Sequence, residues 1–332
     1  MRIAVVHNAV TAESTPDEQD VLVQVEAVTD ALRELGHKPV CLTCGLNLSR
    51  VRSELRALGP QVVFNLVESL DGTGRLIHLF PFLLDAMAIP YTGACAEAML
   101  LTSNKLMAKT MLDGAGLPTA AWVAARNAGG PGLFRRPREN PPRWIIKSVW
   151  EHASIGLDAE GIVEASADHL IDTLLAERAP RLGGSCFAEA YIDGREFNLS
   201  LLDGPDGPQV LPPAEIVFEG FDADKARIVD YKAKWDEGAY EYHHTPRRFD
   251  FEPADEDLLD QLKTLALECW ELFGLRGYAR VDFRVDAKGR PWILEINTNP
   301  CLSPDAGFIA AVHQAGLSQV EAVGRIVQST GI

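Results

Sequence analysis

The chain has 332 residues, 47% of them hydrophobic and 8% aromatic, with a formal net charge of −16. That length holds two or three domains with cores of their own. The acidic balance, with no long basic run, argues against a nucleic-acid backbone as partner; no run of about eighteen apolar residues offers a membrane span; and the opening Met1-Arg-Ile-Ala-Val-Val-His7 is too short and too quickly polar for a signal peptide.

In chain order, residues 2–7 predict a strand. Thr15-Pro-Asp-Glu18 then carries the marks of a helix start: a capping threonine, proline at the first helical position and a returning glutamate. Val21, Val25, Val28, Leu32 and Leu35 follow as one helical stripe, which Gly36 ends. A strand at residues 39–42, a helix at 48–58 and a strand at 61–67 continue the alternation, which predicts a parallel sheet with helices on both faces. Ligands bind such sheets at the carboxyl ends of the strands, so the loops 7–20 and 68–74 are expected at a substrate site.

After Tyr91-Thr-Gly93 the pattern changes. A helix carries Asn104 to Lys109 and stops at Gly114; residues 127–142, rich in Gly, Pro and Arg, read as a mobile connection; and Trp144-Ile-Ile-Lys147 is a short buried strand. A helix over 165–179 follows, then antiparallel strands at 187–191, 196–202 and 210–218, a long helix at 252–273 and two short closing helices at 306–313 and 318–328. The six cysteines include Cys41-Leu-Thr-Cys44, but no second pair matches its spacing. Ordinary buried thiols in a reducing cytosol are the expectation, and the protein is expected to be cytoplasmic.

The most telling stretch is Arg280-Val-Asp-Phe-Arg-Val-Asp286, a turn ending in Gly289, and Trp292-Ile-Leu-Glu-Ile-Asn-Thr-Asn-Pro300. Strand side chains alternate faces, so Arg280 and Asp282 point the same way on the first strand, as do Glu295 and Asn297 on the second. Paired as a hairpin, they gather two carboxylates, an amide and a guanidinium. Hard oxygen donors without sulfur or imidazole suit Mg²⁺ carried with nucleotide phosphates. The plainer alternative is a hairpin with a solvated polar face; the apolar Ile293, Leu294 and Ile296 around the acid argue against it. Lys147 precedes the small polar loop 151–156, whose backbone N–H groups suit phosphates. The chain lacks GxxxxGK[ST], HExxH and GxSxG, which removes the P-loop, zincin and α/β-hydrolase readings.

Taken in order, Lys105, Ile145-Ile-Lys147, the loop 151–156, Glu189 with Glu196, Lys234, Arg280-Val-Asp282 and Glu295-Ile-Asn297 resemble the ATP-grasp superfamily. More narrowly, with Tyr91-Thr-Gly93, Asp71-Gly-Thr-Gly-Arg-Leu76 and the segments 277–282 and 295–300, the chain resembles the D-alanine–D-alanine ligase branch over nearly its whole length. The resemblance implies an α/β and α+β, ATP-grasp fold: an N-terminal parallel α/β domain (1–93), a central ATP-grasp subdomain (94–183) and a C-terminal ATP-grasp subdomain (184–332) that grip ATP. It implies that Lys105 and Lys147 hold phosphates, that Glu189 and the backbone of Ala190, Tyr191 and Ile192 meet the adenine, and that Glu196 meets the ribose. Lys234 reaches the γ-phosphate, and Asp282, Glu295 and Asn297 hold two Mg²⁺ ions, with Mn²⁺ an acceptable substitute. Arg280 stabilises the oxyanion, and Ser154 joins Lys234 and Arg280 among the catalytic residues.

The implied reaction joins a carboxylate to an amine, amino acids by expectation, through an acyl phosphate. Segments 151–156 and 231–242 serve as lids that exclude water. A homodimer is implied as well. The competing classes are a phosphotransferase or ATPase that forms no amide and a non-catalytic nucleotide-binding relative; the complete Asp282, Glu295 and Asn297 set speaks against the latter. Departures from the branch pattern fall on Glu68-Ser-Leu70, Ala153, Trp235, Cys301 and Ala306, all assigned to the donor or acceptor pocket, while the nucleotide and metal residues are kept. These predict a substrate pair other than two D-alanines, with a true D-alanine–D-alanine ligase of cell-wall synthesis as the alternative.

Overall fold

The computed structural model describes residues 1–11, 13–124, 141–151, 154, 156–222 and 225–332. The connection expected over 127–142 lies outside them up to residue 140, as do residues 152, 153 and 155 of the small loop.

The N-terminal alternation is as predicted: β1 (Arg2–Asn8), α1 (Pro16–Glu34), β2 (Lys38–Cys44), α2 (Leu48–Leu58) and β3 (Val62–Leu66). The three strands form a parallel sheet in the order β2-β1-β3. The central strand must be apolar on both faces, and Ile3, Ala4, Val5 and Val6 are wholly buried. Ile3, Val5 and Phe64 share a core with Val21, Val28 and Leu32 of α1. Ala4, Val6 and Val63 pack instead with Val51 and Leu55 of α2 and Phe80 and Leu84 of α3 (Leu79–Met87). Helix α1 starts where its cap predicts, with the Thr15 N–H donating to the Glu18 carboxylate at 3.0 Å. It ends at Gly36, whose φ of +78° suits a residue without Cβ.

Helices α3 and α4 (Ala96–Ser103) escape the periodicity reading. Both are apolar over most of their surface, so no polar face sets a helical period. Next come α5 (Lys105–Gly114), capped by Asn104 as it accepts from the N–H groups of Leu106 and Met107, then β4 (Trp122–Ala124), β5 (Trp144–Ser148) and β6 (Ile162–Val163). A helical run follows, α6 (Ala167–His169) joined through a π turn to α7 (Leu175–Arg178), and then β7 (Cys186–Ala190). The four strands make an antiparallel sheet in the order β4-β7-β5-β6.

The rest of the chain builds a second antiparallel sheet, ordered β11-β10-β8-β12-β13 with β9 beside β8. Its elements are β8 (Gly194–Leu202), β9 (Gln209–Val210), β10 (Ala214–Ile216), α8 (Tyr231–Trp235), α9 (Tyr240–His243), β11 (Arg247–Arg248), α10 (Glu256–Leu272), β12 (Tyr278–Asp286) and β13 (Pro291–Asn297). Helices α11 (Gly307–Gln314) and α12 (Gln319–Gln328) close the chain. They return to the first sheet: Phe308, Ile309, Val312, Val323 and Ile326 share the core of α1.

Three local expectations change. The strand expected at 210–218 is two strands, β9 and β10, separated around Pro212 and Pro213, which have no N–H to donate. Strands β7 and β8, expected as antiparallel strands in succession, do not pair with each other: they belong to different sheets, and residues 191–193 carry the chain from one to the other. The β12–β13 hairpin forms, with Gly289 in its turn at φ +74°, but it holds a bulge. Asp282 lies opposite Glu295 and Phe283 opposite Ile293, so Leu294 is an extra residue. The bulge lets Ile293 and Ile296 both face the core, at 0% and 1% exposure, although three positions apart.

Candidate active site

The two antiparallel sheets face each other across a cleft that is partly open to solvent, the concave kind of site that small-molecule ligands occupy. Strands β5 and β7 contribute Lys147, Glu189 and Ala190 to one wall. Strands β8, β12 and β13 contribute Glu196, Asp282, Arg284, Leu294 and Glu295 to the other. The crossing supplies Tyr191 and Ile192, and Lys105, Ser154 and Lys234 close the cleft. Of the catalytic, nucleotide-binding and metal residues assigned from sequence, Arg280 and Asn297 stand outside this lining. They pair across β12 and β13 beyond Asp282 and Glu295.

Arg280 grips Asp282 with two hydrogen bonds, Nε to Oδ1 at 2.7 Å and an Nη to Oδ2 at 2.8 Å. Asn198 of the neighbouring strand also donates to Asp282 Oδ1, at 2.8 Å. The pair is fixed by register, since residues 280 and 282 project from one face of β12. Glu295 reaches Lys105 Nζ at 3.9 Å, and Asn297 Oδ1 accepts from the Asn299 N–H at 3.0 Å.

The lysines sit in an environment that disfavours their charge. Burial holds the Lys105 ammonium below its usual range, with Glu295 opposing; burial does the same to Lys234, again against Glu295. Lys105 also feels the positive charges of Lys147 and Lys234, and Lys234 that of Arg280. Buried, mutually repelling ammoniums fit a polyanion that would neutralise them together. Lys105 is further held by the Glu151 carbonyl, to which it donates at 2.7 Å.

The donor set also fits a divalent ion. Among the described residues no three acidic, histidine or cysteine side chains gather to hold a metal alone. Mg²⁺ uses one or two carboxylates and takes the rest of its shell from water and substrate phosphate. Asp282, Glu295 and Asn297 offer two carboxylates and one amide on adjacent strands.

Glu189 stands differently from its expected place beside an adenine. Its buried carboxylate lies between two ammoniums, Lys109 on one oxygen and Lys147 at 2.5 Å on the other. Burial alone would raise its pKa; the two lysines outweigh that and lower it. The N–H groups of Ala190 and Tyr191 donate within the sheet, to Ala121 O at 2.8 Å and Arg143 O at 3.0 Å. Glu196 meets Arg284 at 2.7 Å, and burial, partly offset by that arginine, raises its pKa. Ser154, at φ +60°, donates to the Val229 carbonyl at 2.8 Å and so ties the small loop to the segment before α8.

Two residues that sequence reading passed over belong to the cleft's construction. Arg284, 4% exposed, lines the cleft; extending the alternation 280, 282 by one step finds it. Lys109 lies one helical turn after Lys105, the spacing that puts both on one face of α5.

Two of the residues marked as departures, Glu68 and Cys301, meet side chains of α1. Cys301 Sγ donates to Asp20 at 3.0 Å, and Ser303 Oγ donates to the same carboxylate at 2.9 Å. Gln24 donates to Glu68 at 2.8 Å and accepts from the Leu302 N–H at 3.0 Å. Ala306 caps α11, and residue 153 is outside the described residues.

Two facing antiparallel sheets, a lysine-lined cleft and an acidic hairpin define an ATP-grasp ligase, an enzyme that forms carbon–nitrogen bonds with ATP. The family model described as "D-ala D-ala ligase C-terminus" matches residues 111–328. A D-alanine–D-alanine ligase of Moorella thermoacetica is 32% identical over 310 residues, covering 91% of each chain. An uncharacterized protein, y4sG, of Sinorhizobium fredii is 29% identical over 312 residues, covering 91% of this chain and 85% of its own. Among solved structures, the D-alanine–D-alanine ligase of Bacillus anthracis superposes with a TM-score of 0.70 at 20% identity, covering 99% of this chain and 97% of that one. The chain belongs to the D-alanine–D-alanine ligase family.

Proposed function

We propose that the protein joins two D-alanine molecules, using ATP, through an acyl phosphate. The observation that carries this reading is the single cleft that unites Lys105, Lys147 and Lys234 with the Asp282 and Glu295 face, in a chain 32% identical to a relative of that name. The relatives favour D-alanine over the altered pair expected from sequence.

In this reading Lys105 and Lys147 would hold ATP phosphates and Lys234 would reach the γ-phosphate. The backbone at Ala190, Tyr191 and Ile192 meets the base and Glu196 the ribose. Asp282, Glu295 and Asn297 hold two Mg²⁺ ions, or Mn²⁺ in their place. Bound Mg·ATP supplies the phosphoryl group that turns a carboxylate, with its poor leaving group, into an electrophile. Arg280, held rigid by Asp282, faces the charge that grows on the carbonyl oxygen as the amine attacks. Ser154 and the segment 231–242 shield the cleft from water. We assign residues 1–93 to substrate binding and 94–183 and 184–332 to the two halves of the nucleotide grip, and place the protein in the cytoplasm as a homodimer. All six cysteines are free thiols, which fits that compartment. Among the described residues no helix is long and apolar enough to cross a membrane.

A second reading, another amino acid or amine as one partner, is favoured by the Asp20, Cys301 and Glu68 cluster. One screen separates the readings: ADP release with Mg²⁺ and single or paired amino acids, products identified by mass. D-alanine alone should give ADP and the dipeptide in equal amounts. ADP and amide only with another pair supports the second reading; ADP without amide overturns both.

A further inference from the structure

Glu189 has two cationic partners of different kinds. The Lys109 ammonium is 1% exposed; it forms an ion pair with Glu189 and donates to Thr119 Oγ1 at 2.7 Å and to the Ala120 carbonyl at 3.3 Å, all inside the protein. It also lies 5.7 Å from the centre of the Trp122 ring. Lys147, on the other carboxylate oxygen, is 18% exposed and borders the cleft. One lysine is a fixture of the interior; the other stands at the boundary.

A buried carboxylate tolerates loss of one partner only if another remains, because an unpaired buried charge is strongly unfavourable. Lys147 therefore leaves Glu189 for an incoming phosphate at low cost while Lys109 stays. Without Lys109, Lys147 would be the carboxylate's one ammonium and would be held there. We propose that Lys109 is a positioning residue, a permanent counter-ion to Glu189 that makes Lys147 exchangeable between Glu189 and the nucleotide. This rests on the reading in which Lys147 binds phosphate.

The test is a double-mutant cycle read as affinity for Mg²⁺ with a non-hydrolysable ATP analogue. Lys147→Met should weaken binding about tenfold in the natural background and less than about twofold in Lys109→Met, which itself loses about tenfold. Lys109→Arg, which keeps the charge, should stay within about threefold of the natural protein. A purely structural lysine would lower the melting temperature without altering the effect of Lys147→Met. An equal tenfold loss in both backgrounds overturns the proposal and leaves the phosphate role of Lys147 standing. No loss in the natural background overturns both. Where Lys109→Met does not fold, Lys109→Met with Glu189→Gln removes both buried charges. Nothing then recaptures Lys147, so Lys147→Met should again cost about tenfold; a loss below about twofold there contradicts the proposal.

Discussion

Glu295 lies opposite Asp282 across the hairpin and within 3.9 Å of Lys105, between the acidic face and the phosphate lysines. Glu295→Ala should lower kcat at least about a hundredfold, with the circular dichroism spectrum unchanged; full activity would remove the metal assignment. Glu68 makes a second test. Burial, with Asp20 and Asp17 adding to it against the Gln24 hydrogen bond, raises its pKa from the ordinary 4.5 to about 7. The folded protein then binds a proton that the unfolded chain has released, so stability is lost as pH rises from 4.5 to about 7 and stays lost above. Glu68→Gln should be more stable than the natural protein by on the order of 2 kcal/mol at pH 8 in urea titrations, and the gap should shrink toward pH 4.5. The hairpin residues Arg280, Asp282 and Glu295 were legible because strand alternation places them. Lys109 was not, because a helical lysine near another reads as a solvated face until its burial at 1% is known.

At the scale of elements, the α1 cap, the Gly36 stop and the acidic hairpin were written locally, in side chains that act within a few residues. What escaped was set by distant packing. The sequence 187–196 has every mark of a hairpin, yet β8 pairs with β12 over its full length and β7 with β5; a partner 84 positions away, as for Asn198 and Asp282, leaves no local trace. The Leu294 bulge is hidden for the same reason, since only the register against β12 reveals it. The crossing can be tested at Gly194, at φ +152°, where a Cβ would sit 2.0 Å from the Val285 carbonyl oxygen. Gly194→Ala should destabilise the protein by about 3 kcal/mol or more in chemical denaturation. A loss below about 0.5 kcal/mol would show that the close approach is not obligatory.

For the whole molecule, hydrogen bonds tie the N-terminal part to the cleft. Tyr231 donates to Asp17 at 2.8 Å, and Glu151 accepts from the Thr73 hydroxyl and the Gly74 N–H, each at 3.1 Å. Asn299 donates to the Val67 carbonyl at 3.2 Å. The first turn of α1 and the segment after β3 thus touch Tyr231 and Glu151, while the return of α11 and α12 to the first sheet had no signal in the local pattern. If segment 231–242 excludes water through Tyr231, then Tyr231→Phe should raise the ratio of ADP to amide product above one while lowering ATP turnover less than about tenfold. A ratio that stays at one would assign water exclusion elsewhere.

The acidic hairpin as the seat of Mg²⁺ and triphosphate is tested most directly by a crystal structure with Mg²⁺ and a non-hydrolysable ATP analogue. The triphosphate should lie among Lys105, Lys147 and Lys234, with the metal on Asp282, Glu295 and Asn297. A nucleotide bound outside the cleft, or metal density away from those three side chains, would contradict it.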